Sequence, residues 1–368
     1  MTQSIQNLSR RAALTGLAGT AAFVAAPAFA AKKDKAPPSV TIGSAADGLA
    51  NADALLARYG KFALPEGGRI APPFFSVELV EQAGKVVEDR SYRSGAVADS
   101  TFVVEGVNSQ AVQAAVDRLY TDFLAGLTAS GYVLVPDAEV EASAGWQKLK
   151  PSFQPSPWQT KTSGKGKSTF YGPTGKGIYV SSQDTRFSGV SVALGFGDTM
   201  GRAFAEQAIP AQISGALMGV ELAVGFVDIS SEGGGKYSNL FGSGSVSIDG
   251  KAVMTIIPSR TKLWFMPNPV PSQGRQELYL DRVVVPATTP ITAFKDVTSR
   301  GEKLGDVAGT MIGMLAGGGK SYSTKTFQVT LDPEAFPATL ETTLAGVTGA
   351  MQKRLAELPS APAGNKRS

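Results

Sequence analysis

In 368 residues there is no cysteine and no histidine. Without thiols there are no disulfides, so stability must come from buried surface. Without imidazoles or thiols, the common zinc and transition-metal sites, histidine-ligated haem, cysteine nucleophiles, serine–histidine pairs and imidazole general bases are excluded. The expectation is no metal and no cofactor. Long apolar runs are missing too. Beyond the first 30 residues nothing approaches the ~18–20 residues of a spanning helix, so no transmembrane span is expected in the mature chain. Acid is absent from two stretches: residues 1–30, and Ala142–Gln183 with its six lysines.

The acid-free start carries only Arg10 and Arg11, followed by the weakly apolar AALTGLAGTAAFVAAPAFA. That is the n-region and h-region of a signal peptide, and Ala28-Phe29-Ala30 places small residues where a signal peptidase cuts. Cleavage after Ala30 is predicted. Ser9-Arg10-Arg11-Ala12-Ala13-Leu14 resembles the twin-arginine translocation signal, with Ala13 where an aromatic is usual. The resemblance implies export of an already folded protein to the periplasm. Without Arg10 and Arg11, 33 basic residues face 31 acidic ones, a net charge of +2. Hydrophobic content of 43% and 42 glycines suit a globular, loop-rich protein.

Residues 31–39 read as a flexible leader, 40–358 as one domain and 359–368 as a disordered tail. A short helix is predicted over Asn51–Tyr59. Strands are predicted at Phe75–Val80, Thr101–Val107, Tyr132–Val135, Gly177–Val180 and Gly189–Leu194. Between the second and third, Val112, Val116, Leu119, Phe123 and Leu127 form one helical stripe, capped by Asn108 or Ser109 and ended at Gly131. Ala142–Gly177, with four prolines, reads as a loop. A helix from about Thr199 to Ala208 should stop at Pro210. Val220–Ile229 is a strand, and SVSI, Asp249-Gly250, KAVMTII predicts a hairpin. Thr261–Met266 and Gln276–Val285 extend the sheet. Ser299-Arg300-Gly301-Glu302 is a capping box opening one helix. Pro337–Leu358 forms another, with Leu340, Leu344, Val347, Met351 and Leu355 on one side. The class is α+β, helices packed on a mostly antiparallel sheet.

Two features point outward. The six lysines are interleaved with rings, and Trp146, Lys148, Lys150, Trp158, Lys161, Lys165, Lys167 and Tyr171 are the binding candidates. Lysines attract phosphate or carboxylate and exposed rings stack on sugars. In an exported protein the matching partners are anionic lipid or glycan rather than nucleic acid. Equally, the rings can fold into the core and leave a solvated loop. The second feature is Gly301, Gly305, Gly309, Gly313 and Gly317, a ladder every four residues that permits close helix approach. It suits self-association, docking at a membrane surface or an envelope protein, or tight packing on the protein's own sheet.

Other motifs are incomplete. Gly166-Lys167-Ser168 lacks the first glycine of a P-loop, and Gly195-x-Gly197-x-x-x-Gly201 opens a helix cut short. Ser259-Arg260-Thr261-Lys262 lies between strands rather than at a helix start. Carboxylates could support glycoside hydrolysis without histidine, with Glu221 and Asp228, or Glu277 and Asp281, as possible pairs.

Thr101–Pro136, a strand, then AVQAAVDRLYTDFLAGLTASGY, then VLVP, resembles the strand–helix–strand opening of the curli secretion channel family and of the TolB amino-terminal domain. It lacks the channel family's lipidated cysteine, and no functional residue carries over. The resemblance implies an envelope assembly or binding role. The sequence thus favours a non-catalytic periplasmic binding or assembly protein, with a carboxylate-dependent hydrolase of envelope glycan as the alternative.

Overall fold

A computed structural model describes residues 39–60, 68–72, 74–90, 95–162, 166–179, 181, 196–233, 246–268, 270, 275–299, 306 and 321–357. The signal segment with Arg10 and Arg11, the cleavage site after Ala30, the strand at 189–194, the Gly301–Gly317 ladder, Lys165 and the tail lie outside the described residues, as does all but Ser299 of the capping box. The described residues belong to one compact unit within Pro37–Ser368.

In chain order the elements are β1 (Val40–Ile42), α1 (Ala45–Ala50), α2 (Ala52–Leu55), β2 (Leu56–Tyr59), β3 (Arg69–Ile70), β4 (Phe74–Arg90), β5 (Gly95–Glu105), α3 (Ser109–Ala129), β6 (Val133–Leu134), α4 (Asp137–Ala142), α5 (Ala144–Leu149), β7 (Trp158–Thr162) and β8 (Gly166–Tyr171). They continue with α6 (Phe196–Gln212), β9 (Leu217–Gly233), β10 (Val246–Ile256), β11 (Lys262–Met266), β12 (Gln276–Leu280), β13 (Val284–Pro286), β14 (Ile291–Asp296), β15 (Ser321–Leu331) and α7 (Ala335–Ala356). Thirteen strands form one sheet whose spine runs β1-β13-β10-β9-β4-β5-β15-β14. The fold is α+β, and among the described residues nine of thirteen strand pairings are antiparallel.

The predicted stripes build the main core. All five apolar stripe residues of α3 and all five of α7 are buried. Asn108 caps α3 by accepting from the Ala111 N–H at 3.1 Å, and Gly131, with φ at +86°, turns the chain away after it. The two helices touch through Gln352, which donates to the Phe123 carbonyl at 2.8 Å. On the other side of α7, α1 crosses so closely that a Cβ on Gly48 would lie 1.9 Å from the Gly346 carbonyl oxygen. Together α1, α2, α3 and α7 cover one side of the sheet over Phe75, Val77, Val220, Leu222 and Leu263. A second cluster, with Ile209, Ile213, Leu217, Trp264 and Met266, lies under α4, α5 and α6. Among the described residues no helix is long and apolar enough to cross a membrane.

Several local expectations are corrected. Ala142–Gly177 is not one loop: it holds α5, a 3₁₀ turn at Lys150–Ser152, β7 and β8. Its polar strands carry little local signal: β7 pairs only with β8, and β8 is tied into the sheet by β4, far away in sequence. Asp249-Gly250 is not a turn but lies inside β10, opposite Ser230 and Ile229. Glycine is required there because a Cβ would sit 2.3 Å from the Phe102 ring. Pro210 does not stop α6, which runs two residues further, anchored by buried Ile209 and Ile213. The predicted 51–59 helix ends at Leu55, where the chain enters β2 to pair with β12. The predicted strand 276–285 is two strands, broken at 281–283.

Candidate functional site

Side chains on a strand alternate between its two sides. Val77 and Leu79 of β4, Val220 and Leu222 of β9, Leu263 and Phe265 of β11, and Leu278 and Leu280 of β12 enter the helix-covered core. Alternation therefore sends Ser76 and Glu78, Gly219 and Glu221, Lys262 and Trp264, and Glu277 to the opposite side. Pairing brings them together: Lys262 is opposite Glu221, and Trp264 lies between Gly219 and Glu277. A Cβ on Gly219 would be 2.4 Å from the Trp264 indole, so only glycine lets the ring lie flat on the sheet.

Burying these groups is costly unless they are paired, and the charged groups and the indole each find at least one partner, while Glu78 Oε2 and Arg275 Nε are left without one. The Trp264 indole N–H donates to Glu221 Oε1 at 2.9 Å. Lys262 Nζ donates to Glu277 Oε1 at 2.9 Å. Arg275 lies 3.9 Å over the Trp264 ring, a cation–π contact. It donates to Glu206 Oε2 of α6 at 2.7 Å and to Ser181 Oγ at 2.8 Å. The Tyr179 hydroxyl donates to Glu206 Oε1 at 2.5 Å. Nearer the β7–β8 edge, fully buried Glu78 takes Ser168 Oγ and Arg260 Nη1 on one oxygen, both at 2.8 Å. Arg202, one turn before Glu206, is also buried.

Two ionisations respond to this setting. Burial opposes the Lys262 ammonium, but the charges of Glu221 and Glu277 outweigh it and raise the pKa above the ordinary lysine value. Burial, reinforced by the Glu206 charge, drives the Tyr179 phenol far above its usual value, so it stays a donor. The carboxylates accept hydrogen bonds in a lattice in which Glu206 holds α6 to Tyr179 and Arg275.

The ring system continues outward. Phe74 stacks on Trp146 with centroids 5.3 Å apart and meets Tyr179 at 4.5 Å, while Phe153 closes on Trp146 at 5.1 Å. Asp137, Glu141 and Lys176 line the small crevice beside them. Lys176 is paired with Asp137.

The structure separates the predicted lysine–aromatic set. Its rings serve the interior: Trp146 joins the Phe74 cluster, Trp158 packs on Phe170, and Tyr171 is buried with its hydroxyl donating to Ser109 Oγ at 3.2 Å. The lysines turn outward. Lys148, Lys150 and Lys161 are exposed and Lys167 is half-buried. Lys161 and Lys167 are direct cross-strand partners at the end of the β7–β8 hairpin, and neither makes an ion pair with a described residue.

The Glu221–Asp228 pair does not assemble: the two are seven residues apart on β9, roughly 23 Å at strand rise, beyond the ~5–9.5 Å of glycosidase carboxylates. Of the other pair, Glu277 is bound by Lys262 and Asp281 lies just past the end of β12. Glu221 is buried against Trp264 rather than solvated at a strand edge. Sequence reasoning overlooked Glu78, Glu206 and Arg275. The readable signal was an acid inside an apolar strand, as in the matching Val-Glu-Leu of β4 and β9.

Comparison of the chain with protein-family models, with curated proteins and with solved structures finds no match.

Proposed function

We propose that this is a non-catalytic binding protein of the bacterial periplasm, exported by its twin-arginine signal, that contacts an anionic glycan or lipid through the outward lysines between residues 148 and 167. The carrying observation is the Lys161–Lys167 pair. Like charges directly opposite each other on neighbouring strands are destabilising. A phosphate- or carboxylate-bearing partner converts that repulsion into attraction, and Lys165 in the connecting segment adds a third cation close by in sequence. The occupied carboxylates on the covered side of the sheet support a binding role over hydrolysis.

The test is Lys161→Glu, which swaps a repulsive cross-strand pair for an attractive one. Stability should rise by about 0.2–1 kcal/mol in urea unfolding, while binding to anionic partners falls. Vesicles containing phosphatidylglycerol and an acidic polysaccharide, each titrated with salt, distinguish lipid from glycan, since electrostatic contacts weaken as salt rises. Unchanged binding to both by the variant refutes the reading.

A further inference from the structure

β4 and β9 run as parallel neighbours from Phe74 and Gly219 to Leu79 and Val224, and then part. β4 goes on to pair with β5 from Gln82, and β9 pairs with β10 from Val224. At this fork the pairing register shifts in both arms, between Val80 and Gln82 against β8 and between Ala252 and Thr255 against β10. Such bulges bend strands and gather at barrel rims and beside functional sites. In the gap lies a cavity of about 240 Å³ walled by Val80, Ala83, Phe102, Gly225, Val227 and Ile257 among others, in which Thr255 brings the one polar side chain among the described residues.

We infer that this fork cavity is a binding site for one uncharged hydrocarbon chain. An apolar cavity of ~150 Å³ accepts benzene. On that scale about 240 Å³ suits a chain of roughly ten carbons. The lining runs from Val80 to Ala83 and from Thr255 to Pro258, about 10 Å along the strands, room for an extended hydrocarbon segment. Several wall residues, including Val80, Val227 and Ile257, are half-exposed, which gives access from solvent. Gly225 lies in this wall, where a Cβ would come within 3.3–3.4 Å of the Ile257 and Thr255 side chains, so glycine keeps the space beside them open. The site carries no charge and does not rest on the lysine reading.

The experiment uses the full mature chain. The neutral fluorophore N-phenyl-1-naphthylamine should bind with 1:1 stoichiometry and be displaced by 1-decanol, independently of salt. Ala83→Phe and Val227→Phe, which fill the cavity from opposite walls, should each weaken binding by about tenfold or more, a change of ~1.4 kcal/mol or above. A diazirine-bearing decanol should crosslink the unaltered protein at residues 80–83, 102–104 or 225–227. Absence of probe binding, a natively folded filling variant that binds undiminished, or crosslinks confined elsewhere would each overturn the proposal.

Discussion

The two sides of the central sheet solve the same problem with opposite chemistry. Under α1, α2, α3 and α7 the strands present Val77, Leu79, Val220, Leu222 and Leu263 to a core held by hydrocarbon burial. On the reverse, the same strands present Glu78, Glu221, Lys262 and Glu277, and α6 answers with Glu206 and Arg202. The first side is non-directional, and neighbouring apolar groups can partly compensate for one another. The second is directional: a carboxylate buried beside one guanidinium admits no other arrangement, so a charged lattice fixes register and helix position at the cost of desolvation. Apolar burial holds the layers together, and charge pairing specifies how α6, Tyr179, Ser181 and Arg275 sit on the sheet.

That contrast can be broken most sharply at Arg275. Arg275→Ala takes the guanidinium from buried Glu206 Oε2 and should cost about 3–5 kcal/mol in urea unfolding. The double replacement Arg275→Met with Glu206→Leu should recover most of that loss, because removing both charges removes the desolvation cost with them. If the double variant is as unstable as the single, the pair supplies net stability and the contrast is wrong.

On the hydrocarbon side, Leu344→Ala in α7 should cost roughly 2–4 kcal/mol, according to how far the core relaxes into the cavity. Its effect should add to that of Arg275→Ala, since distant sites without shared partners behave independently. A large coupling between them would mean the two sides are not separate.

The smallest effect is one of pH. Lys262 has a folded pKa above its unfolded value. Its stabilisation is complete below the unfolded lysine value near ~10.4 and is lost as pH climbs through the folded one. Tyr179, also raised on folding, acts in the same direction from the unfolded phenol value near ~10 upward. Stability should therefore decline above about pH 10, and Lys262→Met and Tyr179→Phe should each flatten that decline in alkaline urea titrations. Leu344→Ala should shift the curve without changing its slope.

Legibility followed the range of the interaction. The stripes of α3 and α7, the Asn108 cap and the cores of β9 and β11 were readable because each depends on neighbours within one or two turns or strand repeats. The β7 and β8 strands were not, since their polar residues show no apolar alternation and β8 completes its pairing against the distant β4. Asp249-Gly250 misled because its glycine answers to the Phe102 ring, nearly 150 residues earlier, and not to a turn. The ion pair of Glu206 and Arg275 spans 69 residues. In one dimension, a carboxylate that will be paired in the interior and one that will stay in water look the same.

Composition alone, with neither thiol nor imidazole, removed whole classes of chemistry, and periodicity alone named α3 and α7 and the side each would bury. Those properties are local, set by residue type and by the 3.6- and 2-residue repeats of the backbone. Which acids meet which bases, where the two long strands part to leave a cavity, and which lysines end up facing each other depended on contacts between distant segments. Such contacts exist only once the chain has closed its loops, and no local pattern encodes them.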